Sequence, residues 1–450
     1  MTTSIPAELL KKYDVPLPRY TSYPTVPYWN FDSLTAQHWL KMVKQQFEVE
    51  AGAIAVYIHL PFCEELCTYC ACSKRITKNH QVERPYLEAV LKEWDMYVEV
   101  LGAPPVVREL HLGGGTPTFF SPEHLKELVH GIMARSIAVP DTIFSVEVHP
   151  NFTSDEHLAA LRAVGFNRIS VGVQDFDPKV QFVINRIQSF DSTQHVVNKA
   201  REFGFTSVNI DLVYGLPLQE VESVANTISK VEVLRPDRIA FYSYAHVPWK
   251  SKAQRRYTDA DVPGAEAKRA MFTFGKSRLE AMGYHAIGMD HFALPDDELH
   301  RSYSAGKLHR NFMGYTPSPS KLLIGLGASS ISDAWMAFAQ NEKEVEAYQE
   351  KINKGEWPWI NGHLLHAEDL RRRQLILDLM CNGEALVPED LLNAALPSLQ
   401  SLQEDGLIVV DQQKVRVTET GKALIRNVCA SFDQYLTPSG QDKPVFSKAI

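Results

Sequence analysis

The sequence predicts an α/β protein in which six strand–helix units close, or nearly close, into a parallel barrel. An amino-terminal extension precedes the barrel and a smaller helical unit follows it. Three observations carry that reading. Short β-rich runs alternate with helical stretches from residue 53 to residue 245, their connections are short, and a cysteine-bearing, glycine-rich or polar segment closes each run. Such alternation implies parallel strands, because each return to the same edge needs a crossover helix.

Residues 1–50 form the extension. Pro16, Pro18, Pro24 and Pro27 interrupt any long helix across that stretch, since each removes a backbone donor. Residues 19–25 read as an extended polar segment packing near the barrel mouth. Strands are expected at 53–60, 108–112, 143–148, 167–174, 207–214 and 238–245. The first opens with the apolar run of residues 53–58, as a buried strand requires. Ser121-Pro122 supplies a cap and a first-turn proline to one helix, Ser154-Asp155-Glu156 begins another, and Gly165 and Gly204 follow helix ends. The barrel with its added elements is assigned to residues 51–362. Its later part carries a helix at 265–282, a strand at 284–290, a polar and aromatic segment at 308–316, and a small-residue turn at 325–332. Residues 363–450 form the carboxy-terminal domain, with helices at 367–382 and 388–403 and a hairpin from 406–410 and 415–417. That order resembles a winged helix. Arg371-Arg372-Arg373 reads as a solvated helix face.

In parallel barrels the chemistry gathers at the carboxyl ends of the strands. The rule collects a constellation from distant positions. The cysteine loop follows strand one and Gly113-Gly114-Gly115-Thr116 follows strand two. Glu147 closes strand three, Gln174 strand four, Asp211 lies in strand five, and Ala245 ends strand six.

The cysteines are the most specific signal. Cys63, Cys67 and Cys70 make a C-x3-C-x2-C run, with Cys72 two positions on. Thiolates this close converge on a soft metal centre when the backbone curls. Three of them on a four-iron cluster leave one iron open to a small ligand. Structural zinc usually takes two separated pairs, and no second pair is present; Cys381 and Cys429 are isolated and read as buried thiols. The glycine run lets backbone N–H groups approach a charged ligand, yet fits neither G-x-G-x-x-G nor a phosphate loop.

Composition excludes several classes. Of the 450 residues, 45% are hydrophobic and 22% charged, and the net charge of −8 comes with no basic stripe, which speaks against a nucleic-acid partner. There is no secretory signal pattern and no apolar run near the ~18 residues that span a bilayer. Four of six cysteines within ten residues do not make a disulfide framework. A reducing cytoplasm is the expected compartment.

A cysteine loop after the first strand of an α/β domain resembles the radical S-adenosylmethionine (SAM) superfamily, giving a partial (β/α)6 barrel of the TIM type. Within it the chain resembles the oxygen-independent coproporphyrinogen III oxidases over nearly its full length. The resemblance rests on residues 18–25, the cysteine loop, 113–118, 172–176, 209–212, 244–246, 288–293 and 426–429. It implies a [4Fe–4S] cluster held by Cys63, Cys67 and Cys70, and two SAM molecules in one mouth. Tyr57, Gly114, Glu147 and Ile331 would line the first. Tyr69, Gly115, Thr116, Gln174, Arg186, Asp211 and Ala245 would line the second. Cys72 falls on a further cysteine of the family that matters to activity without binding the cluster; Cys72, Tyr57 and Glu147 are the expected catalytic set.

The implied reaction converts two propionates of coproporphyrinogen III into vinyl groups, giving protoporphyrinogen IX without oxygen. One electron into the cluster cleaves SAM, the resulting 5′-deoxyadenosyl radical takes a propionate β-hydrogen, and CO2 and a further electron leave. Flavodoxin or ferredoxin is the expected electron donor, and a monomer the expected state. Arg19, His309 and Arg310 are candidates for the anionic tetrapyrrole. Tyr69 stands where phenylalanine also occurs, His149 where aspartate is common, and residues 317–321 replace a more acidic loop. Two alternatives share the cluster loop, a haem chaperone and an anaerobic haem-cleaving methyltransferase. The chaperones generally have an aromatic residue at the position of Cys72 and lack the long amino-terminal segment. A zinc-stabilised interaction protein would need no glycine run.

Overall fold

The computed structural model describes residues 6–436 and 445–449. A twelve-stranded sheet organises the chain, and its strands are numbered here in chain order. The barrel strands are β1 (Ala53–Leu60), β2 (Val106–Gly114), β3 (Ile143–Val148), β4 (Arg168–Gln174), β5 (Ser207–Tyr214) and β6 (Arg238–Ser243). They run parallel, each beside the next. Helices connect them: Glu83–Leu101, Pro122–Ala134, Asp155–Ala163, Phe190–Glu202 and Val221–Leu234. Ser121 and Ser154 cap two of these, each hydroxyl accepting from a backbone N–H three residues on. Strand interiors such as Val56, Ile58, Leu110, Val146, Ile169 and Ile210 are fully buried in one continuous core with the covering helices.

Beyond the six units the sheet continues at both sides. After β6 come β8 (His291–Ala293) and then β7 (His285–Ile287), both antiparallel. On the other side β9 (Leu323–Leu326) lies parallel to β1, followed by β10 (Ile331–Asp333), β11 (Ala337–Asn341) and β12 (Trp359–Leu364). The outermost strands β7 and β12 do not pair with one another, so the barrel is partial and open.

Several expectations change. Residues 284–290 are not one strand: β7 turns at Gly288, whose φ is +60° and where any Cβ would run into the Tyr315 ring, and returns as β8. Strand six ends at Ser243, not 245. The extension is not extended throughout, since Ala7–Tyr13 and Ala36–Val49 are helices. No proline follows Pro27 there, and Trp39, Val43 and Phe47, four residues apart, bury one face of the second helix. Arg373 is not solvated. It is buried, pairs with Asp333, donates to the Trp335 carbonyl at 2.6 Å, and lies 4.2 Å over the Trp335 ring.

In the carboxy-terminal part, helices Ala367–Asn382 and Glu389–Glu404 precede a hairpin, Ile408–Asp411 and Lys414–Val417, which Glu384–Leu386 joins as a third strand. Its core is separate and includes Leu10, Tyr13, Tyr20 and Tyr23 of the extension beside Leu379, Leu399 and Val428. Arg426 holds the two ends together. Its guanidinium donates to the carbonyls of Leu17, Pro18 (2.9 Å), Ser447 (3.2 Å) and Lys448 (2.8 Å). Among the described residues no helix is long and apolar enough to cross a membrane.

Candidate active site

The cysteine loop leaves β1 and is sewn back onto the barrel on both flanks. On one side, Gly115 N–H donates to the Leu60 carbonyl and Thr116 N–H to that of Phe62, both at 2.9 Å. A Cβ on Gly115 would lie 2.6 Å from the Pro61 carbonyl, so only glycine lets the two loops approach this closely. On the other side, Asn185 donates to the Leu66 carbonyl (2.8 Å), Gln254 to that of Tyr69 (2.6 Å) and Ser251 to that of Cys70 (3.0 Å). The loop is thereby fixed by segments that follow β2, β4 and β6.

No disulfide forms, and Cys63, Cys67 and Cys70 are half-buried while Cys72 is exposed. Among the described residues no His, Cys, Asp or Glu group has the convergence of a single-ion site. The four loop cysteines nonetheless line one cavity, as suits a multi-iron cluster whose thiolates meet different irons. Burial pushes the Cys63 thiol up to about 11, against the pull of Thr116. The hydrogen bond from Cys72 brings Cys70 down to about 6, and the same contact raises Cys72. Thr116 Oγ1 and Arg186 Nη1 each stand 3.5 Å from a sulfur, of Cys63 and Cys67 respectively.

Glu147, at the end of β3, faces this loop. Gly114 N–H donates to Oε2 and His111 Nε2 lies near Oε1, both at 3.3 Å. Burial alone would raise the carboxyl, but His111 and Gly114 outweigh it and hold it below the usual range. The carboxylate is therefore ionised, and 45% of the side chain still faces the open mouth. Tyr57 stacks on His111, 5.8 Å between ring centres, and its hydroxyl lies 3.0 Å from His59 Nδ1. His59 Nε2 meets the Ser73 carbonyl at 3.0 Å. A carbonyl only accepts, so Nε2 carries the proton, and burial, which lowers the His59 pKa, leaves Nδ1 free to accept from Tyr57. Gly114 has φ +113°, and a Cβ there would fall 2.7 Å from the His59 ring.

β4 supplies the other wall. Its pairing with β5 slips between Gly172 and Gln174, and Gln174 takes φ +67°. A bulge at a strand end re-aims a side chain. Arg186 Nη2 donates to the Gly172 carbonyl at 2.5 Å, while its buried Nε has no partner among the described residues. Asp211 accepts from Ser170 (2.8 Å) and Asn209 (2.7 Å); burial and the nearby Glu147 raise it to about 6.

Two cavities open at this mouth. The larger, about 970 Å³, is lined by Tyr57, His59, Cys72, Gly114, Glu147 and Ile331 among others. The smaller, about 160 Å³, is lined by the loop cysteines, Tyr69, Gly115, Thr116, Gln174, Arg186 and Asp211. They share Cys72, Lys74, Gly114 and Glu147. All positions predicted for the cluster, the two SAM molecules and catalysis therefore line these two cavities except Ala245. That residue lies in neither wall, although its carbonyl shares the Gln254 amide with that of Tyr69.

Arg19, His309 and Arg310 also line neither cavity. Arg19 donates to the Ser243 carbonyl at 2.7 Å, and Arg310 lies 4.4 Å over the Tyr315 ring. His59, His111 and Lys74 were missed from sequence; each stands beside a predicted residue, but a lone histidine or lysine carries no signal of that. A further cavity of about 630 Å³, between the β7–β8 hairpin and the carboxy-terminal domain, contains none of the loop cysteines or predicted site residues.

Residues 57–228 match the radical SAM superfamily. Over 99% of its length the chain is 38% identical to an oxygen-independent coproporphyrinogen III oxidase of Pseudomonas aeruginosa, covering 98% of that protein. It is 40% identical to the protein of that name from Escherichia coli K12, covering 98% of each. A solved coproporphyrinogen III oxidase from Escherichia coli, described as a radical SAM enzyme, superposes with a TM-score of 0.89 at 37% identity, over 97% of this chain and 100% of that one.

Proposed function

The chain belongs to the family of oxygen-independent coproporphyrinogen III oxidases, and from that premise we infer how its residues divide the work. It is a radical SAM oxidoreductase of haem biosynthesis that uses a [4Fe–4S] cluster and SAM, and converts propionates of coproporphyrinogen III to vinyl groups. The observation that carries the assignment of roles is the meeting of the cysteine loop, the glycine run and Glu147 where two cavities join.

The residues present fit these groups. The loop cysteines line one cavity as soft thiolate donors, and Arg186 keeps an unpartnered buried Nε beside Cys67. Cys63, Cys67 and Cys70 hold the cluster. Bound together, cluster and SAM supply one-electron cleavage of a sulfur–carbon bond and a radical able to take hydrogen from carbon.

The chain's own residues bind and orient. Tyr57, Gly114, Glu147 and Ile331 line the chamber for one SAM, the ionised Glu147 offering charge to a cationic ligand. Tyr69, Gly115, Thr116, Gln174, Arg186 and Asp211 line the neighbouring chamber for a second, with Ala245 supporting it through Gln254. Joined chambers support two SAM molecules per mouth. Cys72 lies at the joint, placed to touch reacting groups rather than iron.

We further propose that the enzyme acts as a cytoplasmic monomer, with flavodoxin or ferredoxin as electron donor. The test is anaerobic reconstitution with SAM, reductant and coproporphyrinogen III, measuring protoporphyrinogen IX and 5′-deoxyadenosine by mass. Vinyl product in step with deoxyadenosine is expected. Deoxyadenosine without decarboxylation would move the reading to a haem-handling relative.

A further inference from the structure

The larger cavity has a cationic rim that nothing in the proposed SAM chambers uses. Lys250, Lys252 and Lys343 line it together with Lys74 and Arg75. Lys74 donates to the Cys70 carbonyl at 3.0 Å, and Arg75 pairs with Glu346 at 2.9 Å. Lys250 and Lys343, by contrast, have no side-chain hydrogen bond or ion pair among the described residues.

Their places in the fold make them a pair. Lys250 follows β6, on the segment that Ser251 anchors to the cysteine loop, and Lys343 follows β11. These are opposite sides of the open sheet. Burial and the charge of Lys343 both lower Lys250, so the two ammonium groups feel each other across the mouth. Both are exposed and line one cavity, so a carboxylate entering it meets two cations that no side chain neutralises among the described residues. Glu344 lies on the same wall yet pairs with neither.

Apolar side chains line the same cavity. Phe312, Met313 and Val345 are among them, and Leu66 and Ile76 are exposed at 37% and 39%. Apolar and unpaired cationic side chains in one cavity suit a flat hydrophobic ligand with carboxylates on its rim.

We propose that Lys250 and Lys343 form a clamp for a substrate propionate that is not reacting, fixing the tetrapyrrole's rotation so that another propionate faces Cys72 and Tyr57. The proposal rests on the oxidase reading for its ligand. It replaces Arg19, His309 and Arg310 as the substrate's carboxylate partners. Once one propionate has reacted, the macrocycle must turn, and a clamp built of two exposed, flexible lysines releases and recaptures carboxylates more readily than a buried arginine fork.

The experiment uses cluster-loaded protein and two readouts. Equilibrium dialysis with coproporphyrin III, the oxidised and unreactive tetra-acid, is expected to show Kd rising about 10–100-fold in K250Q/K343Q, as for loss of charge-assisted contacts. K250R/K343R is expected to bind within about 3-fold of wild type, since guanidinium also pairs with carboxylate. The tetramethyl ester is expected to bind wild type and K250Q/K343Q alike. In turnover of K250Q/K343Q, KM for coproporphyrinogen III rises and kcat falls, because bound substrate is no longer held in register, while substrate-free deoxyadenosine release stays unchanged. An unchanged Kd for the tetra-acid, or an equal loss for the ester, would overturn the clamp. Wild-type protein that makes no vinyl product would overturn the oxidase reading instead, whatever the dialysis shows.

Discussion

Arg186 Nη1 stands 3.5 Å from Cys67 Sγ while Nη2 of the same guanidinium donates to the Gly172 carbonyl at 2.5 Å. One planar group therefore ties the cysteine loop to the bulged end of β4. Lysine would keep the charge but cannot make both contacts. Arg186→Lys is expected to slow deoxyadenosine release about 10–100-fold, the cost of losing a charge-assisted fork. Anaerobic single-turnover assays by mass check this; wild-type rates would mean that charge alone suffices.

The loop cysteines divide by role. Cys63→Ser, Cys67→Ser or Cys70→Ser is expected to abolish iron and acid-labile sulfide retention. Cys72→Ser should keep both and lose vinyl formation, because Cys72 sits where the cavities join. Iron and sulfide analysis beside product assay separates the two groups, and loss of cluster in Cys72→Ser would make it a ligand.

Gly114→Ala tests the glycine run. A methyl there meets the His59 ring 2.7 Å away on a backbone with φ +113°. The expected cost is about 1–3 kcal/mol of stability, from strain and displacement of the ring. SAM binding should weaken as well, measured by calorimetry on the loaded protein. A neutral effect would show that His59 has room to move.

Acid should destabilise the fold through His309. Burial first, then the charges of Arg373 and Lys321, lower it to about 4. The unfolded chain binds a proton near pH 6.5 while the folded one does not, so stability present above pH 6.5 is lost as pH falls toward 4. The contribution is on the order of 3 kcal/mol. Denaturant midpoints for wild type and His309→Gln across that window are expected to converge at low pH. Parallel curves would assign the loss to other groups.

Arg426→Met should loosen both chain ends. The arginine spans four carbonyls, of Leu17, Pro18, Ser447 and Lys448. Orphaning the buried carbonyls of Leu17 and Pro18 and losing the partly buried contacts to Ser447 and Lys448 is expected to cost about 3 kcal/mol. Limited proteolysis should then cut within residues 1–30 first, and unaltered protection would place the restraint in the apolar contacts of Tyr20 and Tyr23.

The sequence by itself determined whatever is written locally. Strands at 53–60, 143–148 and 207–214 match β1, β3 and β5 in both limits, because apolar runs bounded by turn formers are a short-range signal. Ser121 and Ser154 announced their helices for the same reason. Glu147, Gln174 and Asp211 were found because parallel strands put their carboxyl ends at one mouth, a rule needing topology but no coordinates.

Only the tertiary structure decided which side chains meet across distance. It stacked His111 on Tyr57, set the Gly114 turn against His59, brought Lys250 and Lys343 into the lining of one cavity, and buried Arg373 against Asp333. It also left Arg19, His309 and Arg310 outside the walls of both cavities. These outcomes depend on the twist and closure of the whole sheet, which sum over every strand. No window of sequence contains that sum.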